Sequence, residues 1–233
     1  MDLQKRSCPI KIELNPSGVQ YLLTAIEIGS DRHEFFASSH VGGQFALFIQ
    51  ALYGLYIEGN DQHNHFDRKG TKVSCVFPKE DHSLKDGEVA VKTSFEWDNE
   101  GEIVEFSFRR VFRFGEDPFT KDSDPVLVTI TDTEEEKSWS YTVDGRDLCY
   151  AAAKACTETL KKYGFYGYAV STGSTCFECG DCIDLHMLLF LKARALSVKE
   201  PRILFPVDKG EEPWIGPFAT DFKKELELLL FDM

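Results

Sequence analysis

The chain has 233 residues, of which 42% are hydrophobic, 13% aromatic and 28% charged, and its formal net charge at pH 7 is −13. This composition is typical of a folded globule with its own core and excludes a disordered chain. The surplus of carboxylates argues against nucleic acid and anionic membranes as partners, because both are bound through Lys and Arg.

The N-terminal sequence and the cysteine content indicate a cytoplasmic protein. No apolar run is long enough for a secretory signal or for a membrane-spanning helix, which needs about 20 residues. The seven cysteines are an odd number, and Cys8, Cys75, Cys149 and Cys156 stand singly. This spacing is no disulfide framework, so we expect reduced thiols.

The first third of the chain predicts strands around one helix. Residues 9–14, 19–28 and 31–38 have strand composition and are separated by turn residues, which favours an antiparallel meander. Residues 44–58 carry apolar residues at helical spacing and on the other faces as well, which predicts a buried helix. The segment 71–77 reads as a further strand.

The middle of the chain predicts two β-hairpins, at 88–112 and 125–143. In the first hairpin, residues 88–97 and 101–112 both alternate apolar with polar residues around the turn at 98–101. In the second, 125–132 alternates in the same way against 138–143. Alternation of this kind indicates antiparallel strands with one buried face, and no segment between them can form a crossover helix.

The last third predicts helices. Asp144 is a favourable N-cap for a helix at 145–163 that ends at Gly164, and 165–171 reads as a short strand. A second apolar helix is predicted at 182–197, followed by a proline-rich loop at 201–218. A short C-terminal helix at 219–233 needs apolar cover, from its own domain or from a second copy in a homo-oligomer.

The predicted fold class is α+β, with a mostly antiparallel sheet of about seven to nine strands packed with three main helices and a short C-terminal helix. We expect one domain over 1–233. The alternative is a subdivision near residue 144, between a sheet-rich part at 1–143 and a helix-rich part at 144–233, although no flexible linker marks this point.

One motif has metal-ligand spacing. Cys176, Cys179, Cys182 and His186 form the pattern C-x2-C-x2-C-x3-H, and a Cys3His set can hold zinc in a tetrahedral site. If Asp181 caps the helix, Cys182 and His186 share one of its faces, and the helix N-terminus favours the thiolate.

Three other interpretations of this motif stay open. The overlapping C-x2-C pairs also suit redox chemistry. The spacing resembles the iron-sulfur run of bacterial ferredoxins, although His186 stands in place of the fourth cysteine and the usual proline is absent. Without a metal, the cysteines would line the start of a buried helix, which is the commoner role of such residues.

A second candidate metal motif lies in the polar segment 59–70. His63, His65 and Asp67 form an H-x-H-x-D run that resembles the metallo-hydrolases of the β-lactamase fold over these residues only. That family continues with a histidine where this chain has Arg68, and its motif follows a strand instead of a helix. The resemblance would imply a metal-dependent hydrolase, and the alternative is a surface loop.

The acidic residues are unevenly distributed. Residues 96–144 contain 14 acidic and 5 basic side chains. We expect a solvated sheet face that is acidic, which is either an ordinary charged surface or a surface that steers a basic partner protein. The basic group Arg109, Arg110 and Arg113 is expected on the solvent side of its strand, where it would neutralise nearby acids.

The function expected from the sequence is binding instead of catalysis. The chain has no nucleotide-binding loop and no nucleophile elbow. The first hypothesis is a non-enzymatic, cytoplasmic protein-binding protein with an acidic sheet face, for instance an immunity or inhibitor protein against a basic nuclease. The alternatives are a zinc protein that uses Cys176, Cys179, Cys182 and His186, and a metal-dependent hydrolase at His63, His65 and Asp67.

Overall fold

The protein is α+β and its sheets are antiparallel, as the sequence predicts. The computed structural model describes residues 9–16, 21–38, 44–56, 71–99, 101–113, 116, 124–171, 185–196, 202–203, 219–220 and 227. The helices and strands in this part of the chain are, in order, β1 (Ile10–Pro16), β2 (Tyr21–Ile28), β3 (Asp31–Ser38), α1 (Gln44–Gly54), β4 (Thr71–Val76), β5 (Glu88–Asn99), β6 (Glu102–Arg113), β7 (Pro125–Asp132), β8 (Lys137–Asp144), α2 (Gly145–Ser171), α3 (Leu185–Ala195), β9 (Arg202–Ile203) and β10 (Ala219–Thr220).

The strands form two main sheets instead of the single sheet suggested by the sequence. Strands β1, β2 and β3 make a three-stranded meander, and β4 to β8 make a five-stranded meander in chain order. The short strands β9 and β10 pair with each other. The alternating pattern in a sequence shows that a strand has one buried face, but not which other strand covers it.

Both predicted hairpins form, and a local turn closes the first one. In this turn the Asp98 carboxylate accepts a hydrogen bond from the backbone N–H of Gly101 at 2.8 Å. Gly101 has a φ of 110°, a conformation that glycine adopts at little cost. Along β5 and β6 the alternating residues on one face are buried, and they include Trp97 and Phe106.

The three-stranded sheet lies over the inner, apolar face of the five-stranded sheet. Phe35 of β3 contacts Trp97 of β5 and Phe106 of β6, with ring centroids 5.3 and 5.0 Å apart. The backbone of Phe36 is tied to the same part of β5, because its carbonyl accepts a hydrogen bond from the Trp97 indole and its N–H donates to Asn99. Strand β3 therefore crosses the larger sheet next to the β5–β6 turn.

Helix α1 covers another part of the same apolar face. Phe48 packs edge-on against Phe95, Phe106 and Phe108 at centroid distances of 5.6 to 6.2 Å. Edge-to-face packing of this kind is the favoured geometry of aromatic pairs. Helix α1 is buried on most sides, as its apolar sequence predicts, but it ends at Gly54 and is followed by a turn at Leu55 and Tyr56, so it does not run unbroken to 58 as predicted.

The predictions for the last third of the chain need correction. The segment 165–171 is not a strand, because α2 continues through Gly164 to Ser171. A helix that is already formed extends at low cost, so the penalty of about 1 kcal/mol for a glycine does not end it. The predicted C-terminal helix does not begin at residue 219, since Ala219 and Thr220 are β10. Glu227 is helical, and the rest of 221–233 lies outside the described residues.

None of the described helices is long and apolar enough to cross a membrane.

Candidate functional site

Eight of the 14 acidic residues of the segment 96–144 lie at one end of the five-stranded sheet. The β5–β6 turn and the β7–β8 turn lie side by side there, because both the N–H and the hydroxyl of Thr133 donate to the carbonyl of Ile103, at 3.2 and 2.7 Å. We call the following residues the acidic end: Glu96, Asp98, Glu102, Glu105, Asp132, Glu134, Glu135 and Glu136. The negative charge is therefore concentrated at an end of the sheet more than across its face.

Some of these acids shape the turns, and others do not. Asp98 holds the first turn through Gly101, and Asp132 holds the second by accepting hydrogen bonds from the N–H groups of Glu134 and Glu135, each at 3.0 Å. Glu134, Glu135 and Glu136 are exposed, and Glu136 has a φ of 52°. Such a backbone is uncommon for a residue other than glycine, asparagine or aspartate.

Glu96 and Glu105 are direct cross-strand partners, and both side chains are exposed. Like charges in this position destabilise a sheet. The other like-charged pair of these strands, Lys92 and Arg109, differs because Arg109 also forms an ion pair with Asp81 at 3.0 Å. No ion pair to Glu96 or Glu105 occurs among the described residues.

A half-buried aromatic cluster, His33, Trp139 and Tyr141, adjoins the acidic end where β3 meets β8. The His33 ring lies edge-on to both Trp139 and Tyr141, at centroid distances of 5.1 and 5.9 Å. The Tyr141 hydroxyl donates to Asp31 at 2.8 Å, and His33 Nε2 lies 2.8 Å from the same hydroxyl. Since that hydroxyl has one hydrogen, Nε2 of His33 must donate to it.

The electrostatics of the aromatic cluster favour a neutral imidazole. Burial lowers the pKa of His33 below its usual value, and this effect outweighs the opposing attraction of Asp31, while Lys137 lowers the pKa further. Lys137 lies 4.7 Å above the Trp139 ring, so that ring face already accommodates a cation.

A second polar centre is buried inside the protein. Arg110 of β6 and Arg194 of α3 both contact the carboxylate of Asp124, and all three side chains are almost fully buried. The expectation that Arg110 faces solvent is therefore wrong. Arg110 lies on the same face of β6 as the buried Phe106 and Phe108, since residues two apart on a strand point to the same side. The alternation of β6 therefore already indicated that the Arg110 side chain points into the core.

Most of the sequence-predicted metal ligands lie outside the described residues. This applies to Cys176, Cys179 and Cys182, and also to His63, His65 and Asp67. The fourth residue of the cysteine motif, His186, is the second residue of α3 (Leu185–Ala195), and the predicted start of this helix at 182 lies outside the described residues. In the part of the chain that the structure describes, no group of three or more His, Cys, Asp or Glu is arranged to hold a metal ion.

None of the three described cysteines, Cys75, Cys149 and Cys156, is in a disulfide. Cys149 and Cys156 are buried, and burial raises the pKa of Cys149 to about 12 and that of Cys156 well above its usual value, which keeps both thiols protonated near neutral pH. Cys75 is half-buried, and burial raises its pKa as well. These thiols are therefore poor nucleophiles.

Comparison with known proteins gives no relative, because no protein-family model, no curated protein and no solved structure matches the chain significantly.

Proposed function

We propose that this protein binds a basic partner protein through its acidic end, without catalysing a reaction. A partner that presents Lys and Arg would be attracted over a distance by the concentrated negative charge, and the charge complementarity would set its orientation. An immunity or inhibitor protein that blocks a basic enzyme such as a nuclease fits this description.

The observation that carries the proposal is the direct opposition of Glu96 and Glu105 at this end. Two exposed carboxylates that face each other lower the stability of the free protein, and neither has an ion pair within the described residues. Arginine or lysine from a partner would relieve the repulsion. A protein can keep a locally unfavourable feature at a functional site and compensate for it elsewhere.

The aromatic cluster supplies the apolar anchor that an acidic surface alone lacks. Tryptophan and tyrosine are enriched among the residues that dominate binding energy at protein interfaces, whereas exposed charges at the rim mainly affect the association rate. Trp139 is half-buried, its ring accommodates the ammonium group of Lys137, and Asp31 lies nearby through Tyr141. In the complex, an arginine of the partner takes the place of Lys137 on the Trp139 ring.

The experiment uses a decalysine peptide as the probe and a decaglutamine peptide as its neutral control. Decalysine is titrated into isotopically labelled protein, and backbone NMR shifts identify the residues that respond. We expect the largest shifts in the β5–β6 and β7–β8 turns and at Trp139, with an affinity that falls as salt is added. Shifts spread evenly over the surface would refute the proposed site.

A matched pair of variants separates the acidic end from net charge. The triple variant Glu105→Gln, Glu134→Gln and Glu135→Gln leaves the turn-forming aspartates in place and should weaken decalysine binding at least tenfold. The control variant Glu80→Gln, Asp86→Asn and Glu158→Gln changes the net charge equally, on exposed residues of the 77–87 loop and of α2. If both variants weaken binding equally, the protein has no specific acidic site.

A further inference from the structure

The buried centre formed by Arg110, Asp124 and Arg194 contains two guanidinium groups and one carboxylate. Arg110 Nε lies 2.8 and 3.0 Å from the two oxygens of Asp124, and Arg194 Nη2 lies 3.1 Å from Oδ2. The side chains of Arg110 and Arg194 are 2% and 0% exposed, and that of Asp124 is 0% exposed. Solvent therefore contributes little to stabilising these charges.

The centre holds an excess positive charge. A guanidinium group stays protonated in proteins, so two positive charges face one negative charge. Among the described residues, the neighbouring Tyr56 and Cys149 supply no negative charge, because burial raises the pKa of Tyr56 well above its usual value and that of Cys149 to about 12. Asp144, which is hydrogen bonded to the N–H of Asp124, directs its other oxygen to the N–H of Arg146.

Three nitrogens of the two arginines still have hydrogens to donate. Within the described residues, Arg110 Nη2 and Arg194 Nε and Nη1 are buried and have no hydrogen-bond acceptor. Buried donors without an acceptor are rare in native proteins because the lost hydration is not replaced. A water molecule would satisfy the hydrogen bonds but not the charge, whereas an anion satisfies both.

Aromatic rings border the two guanidinium groups of the centre. The Tyr56 ring lies 4.7 Å from Cζ of Arg110 and 5.5 Å from Cζ of Arg194, and the Phe112 ring lies 4.9 Å from Cζ of Arg110. The two guanidinium groups lie over aromatic ring faces, which attract cations but carry no oxygen acceptor, so the three N–H donors named above are still without one among the described residues. Oxyanions bind arginine by accepting hydrogen bonds from the N–H groups of the planar guanidinium.

We propose that the centre binds one small oxyanion, with inorganic phosphate as the representative ligand, between Arg110 and Arg194. The anion accepts hydrogen bonds from the three nitrogens and balances the excess charge. It acts as a structural ligand that holds β6 to α3, and it is independent of the binding of a basic partner at the acidic end.

The test is the dependence of thermal stability on phosphate at constant ionic strength. A ligand that binds only the folded state raises the melting temperature, by about 4 °C for each tenfold increase in free phosphate above its dissociation constant. The wild-type protein should show this rise. The Arg194→Met variant, which keeps a neutral Arg110–Asp124 pair, should show only the small general effect of phosphate on protein stability.

The matched control is Arg109→Met, which makes the same chemical change at the preceding residue of β6, outside the centre, and should keep the wild-type response. An equal response in the wild type and in Arg194→Met would overturn the proposal. An equal response of the wild type to chloride would overturn the assignment to an oxyanion.

A second measurement does not depend on the folding of any variant. The 31P NMR spectrum of the wild-type protein in excess phosphate should contain a bound resonance equivalent to one phosphate per chain, or a free resonance broadened by exchange with it. A spectrum identical to that of phosphate with the Arg194→Met variant, or with an unrelated protein if that variant does not fold, would overturn the proposal.

Discussion

Glu96 on β5 and Glu105 on β6 face each other across two hydrogen-bonded strands, with both carboxylates in solvent. This relationship has a consequence for the free protein as well as for its proposed partner. Repulsion between directly opposed like charges lowers sheet stability by a few tenths of a kcal/mol up to about 1 kcal/mol.

The variant Glu105→Gln should therefore raise the free energy of unfolding by about 0.5 kcal/mol at low salt, and by less at 1 M salt, where the repulsion is screened. Urea denaturation at both salt concentrations measures the effect, with Asp86→Asn as a control that should change little. The same Glu105→Gln variant should bind decalysine more weakly. If stability and binding both decrease, the repulsion is not the cause.

The aromatic cluster predicts a pH dependence of stability. Because the pKa of His33 is lower in the folded protein than in the unfolded chain, the unfolded chain binds more protons as the pH falls. The stability that His33 contributes is present above pH 6.5 and is lost as the pH falls through the folded pKa. The groups that face His33 are Asp31, Tyr141 and Lys137, of which Asp31 opposes the shift.

The measurement compares urea midpoints of the wild type and His33→Gln between pH 7.5 and 5. We expect the wild-type midpoint to fall more steeply than that of the variant in this range. NMR titration of the His33 ring gives the pKa directly. A ring pKa above 6.5 would contradict the prediction, since the protonated form would then be favoured by folding.

Replacing Gly145 by alanine should disturb the buried centre of Arg110, Asp124 and Arg194 by a steric clash. A Cβ atom at this position would be closer to the Tyr56 hydroxyl than any normal contact and 3.0 Å from both the carbonyl oxygen and Oδ2 of Asp124. Gly145→Ala should therefore lower the free energy of unfolding by about 1–3 kcal/mol. Urea denaturation measures this loss.

A double-mutant cycle distinguishes the clash between the new Cβ and the Tyr56 hydroxyl from the general cost of replacing a glycine. Tyr56→Phe removes the hydroxyl, so the combination with Gly145→Ala should be less destabilised than the sum of the two changes. Gly87→Ala is the control. It should destabilise the protein through backbone strain and not through a steric contact, because Gly87 has a φ of 81° and nothing lies within 4 Å of the added Cβ. Tyr56→Phe should give no recovery there. Strict additivity at Gly145 would contradict the contact.

The cysteine motif predicts a bound metal that can be measured directly. If Cys176, Cys179, Cys182 and His186 form a zinc site, protein purified without a histidine tag should contain about one equivalent of zinc, and Cys179→Ser should lose it. Cys75→Ser is the control and should keep the metal. Less than about a tenth of an equivalent of zinc or iron in the wild type would rule out this site.

The alternation of apolar residues determines much of the fold by itself. In β5 to β8 almost every second side chain is apolar, with Thr93 and Arg110 as the interior exceptions, so both hairpins and the antiparallel class follow from the sequence. The same alternation indicates that the Arg110 side chain points inward, because Arg110 is an even number of residues from the buried Phe106 and so lies on the same face of β6. The positive charge of arginine instead led to the expectation that Arg110 faces solvent, because a buried guanidinium needs an acidic partner. That partner is Asp124, 14 residues away in the sequence, and only the tertiary structure brings the two together.

Only the tertiary structure decided how the strands divide into two sheets and where the charges of distant segments meet. The sequence places 14 acidic residues between 96 and 144, but pairing of β6 with β7 is what brings the two turns together at one end. Likewise, β3 meets β8 only because one sheet crosses the other, which joins His33 to Tyr141. The local sequence pattern determines which face of a strand is apolar. Which helix or strand covers that face depends on packing between segments far apart in the chain.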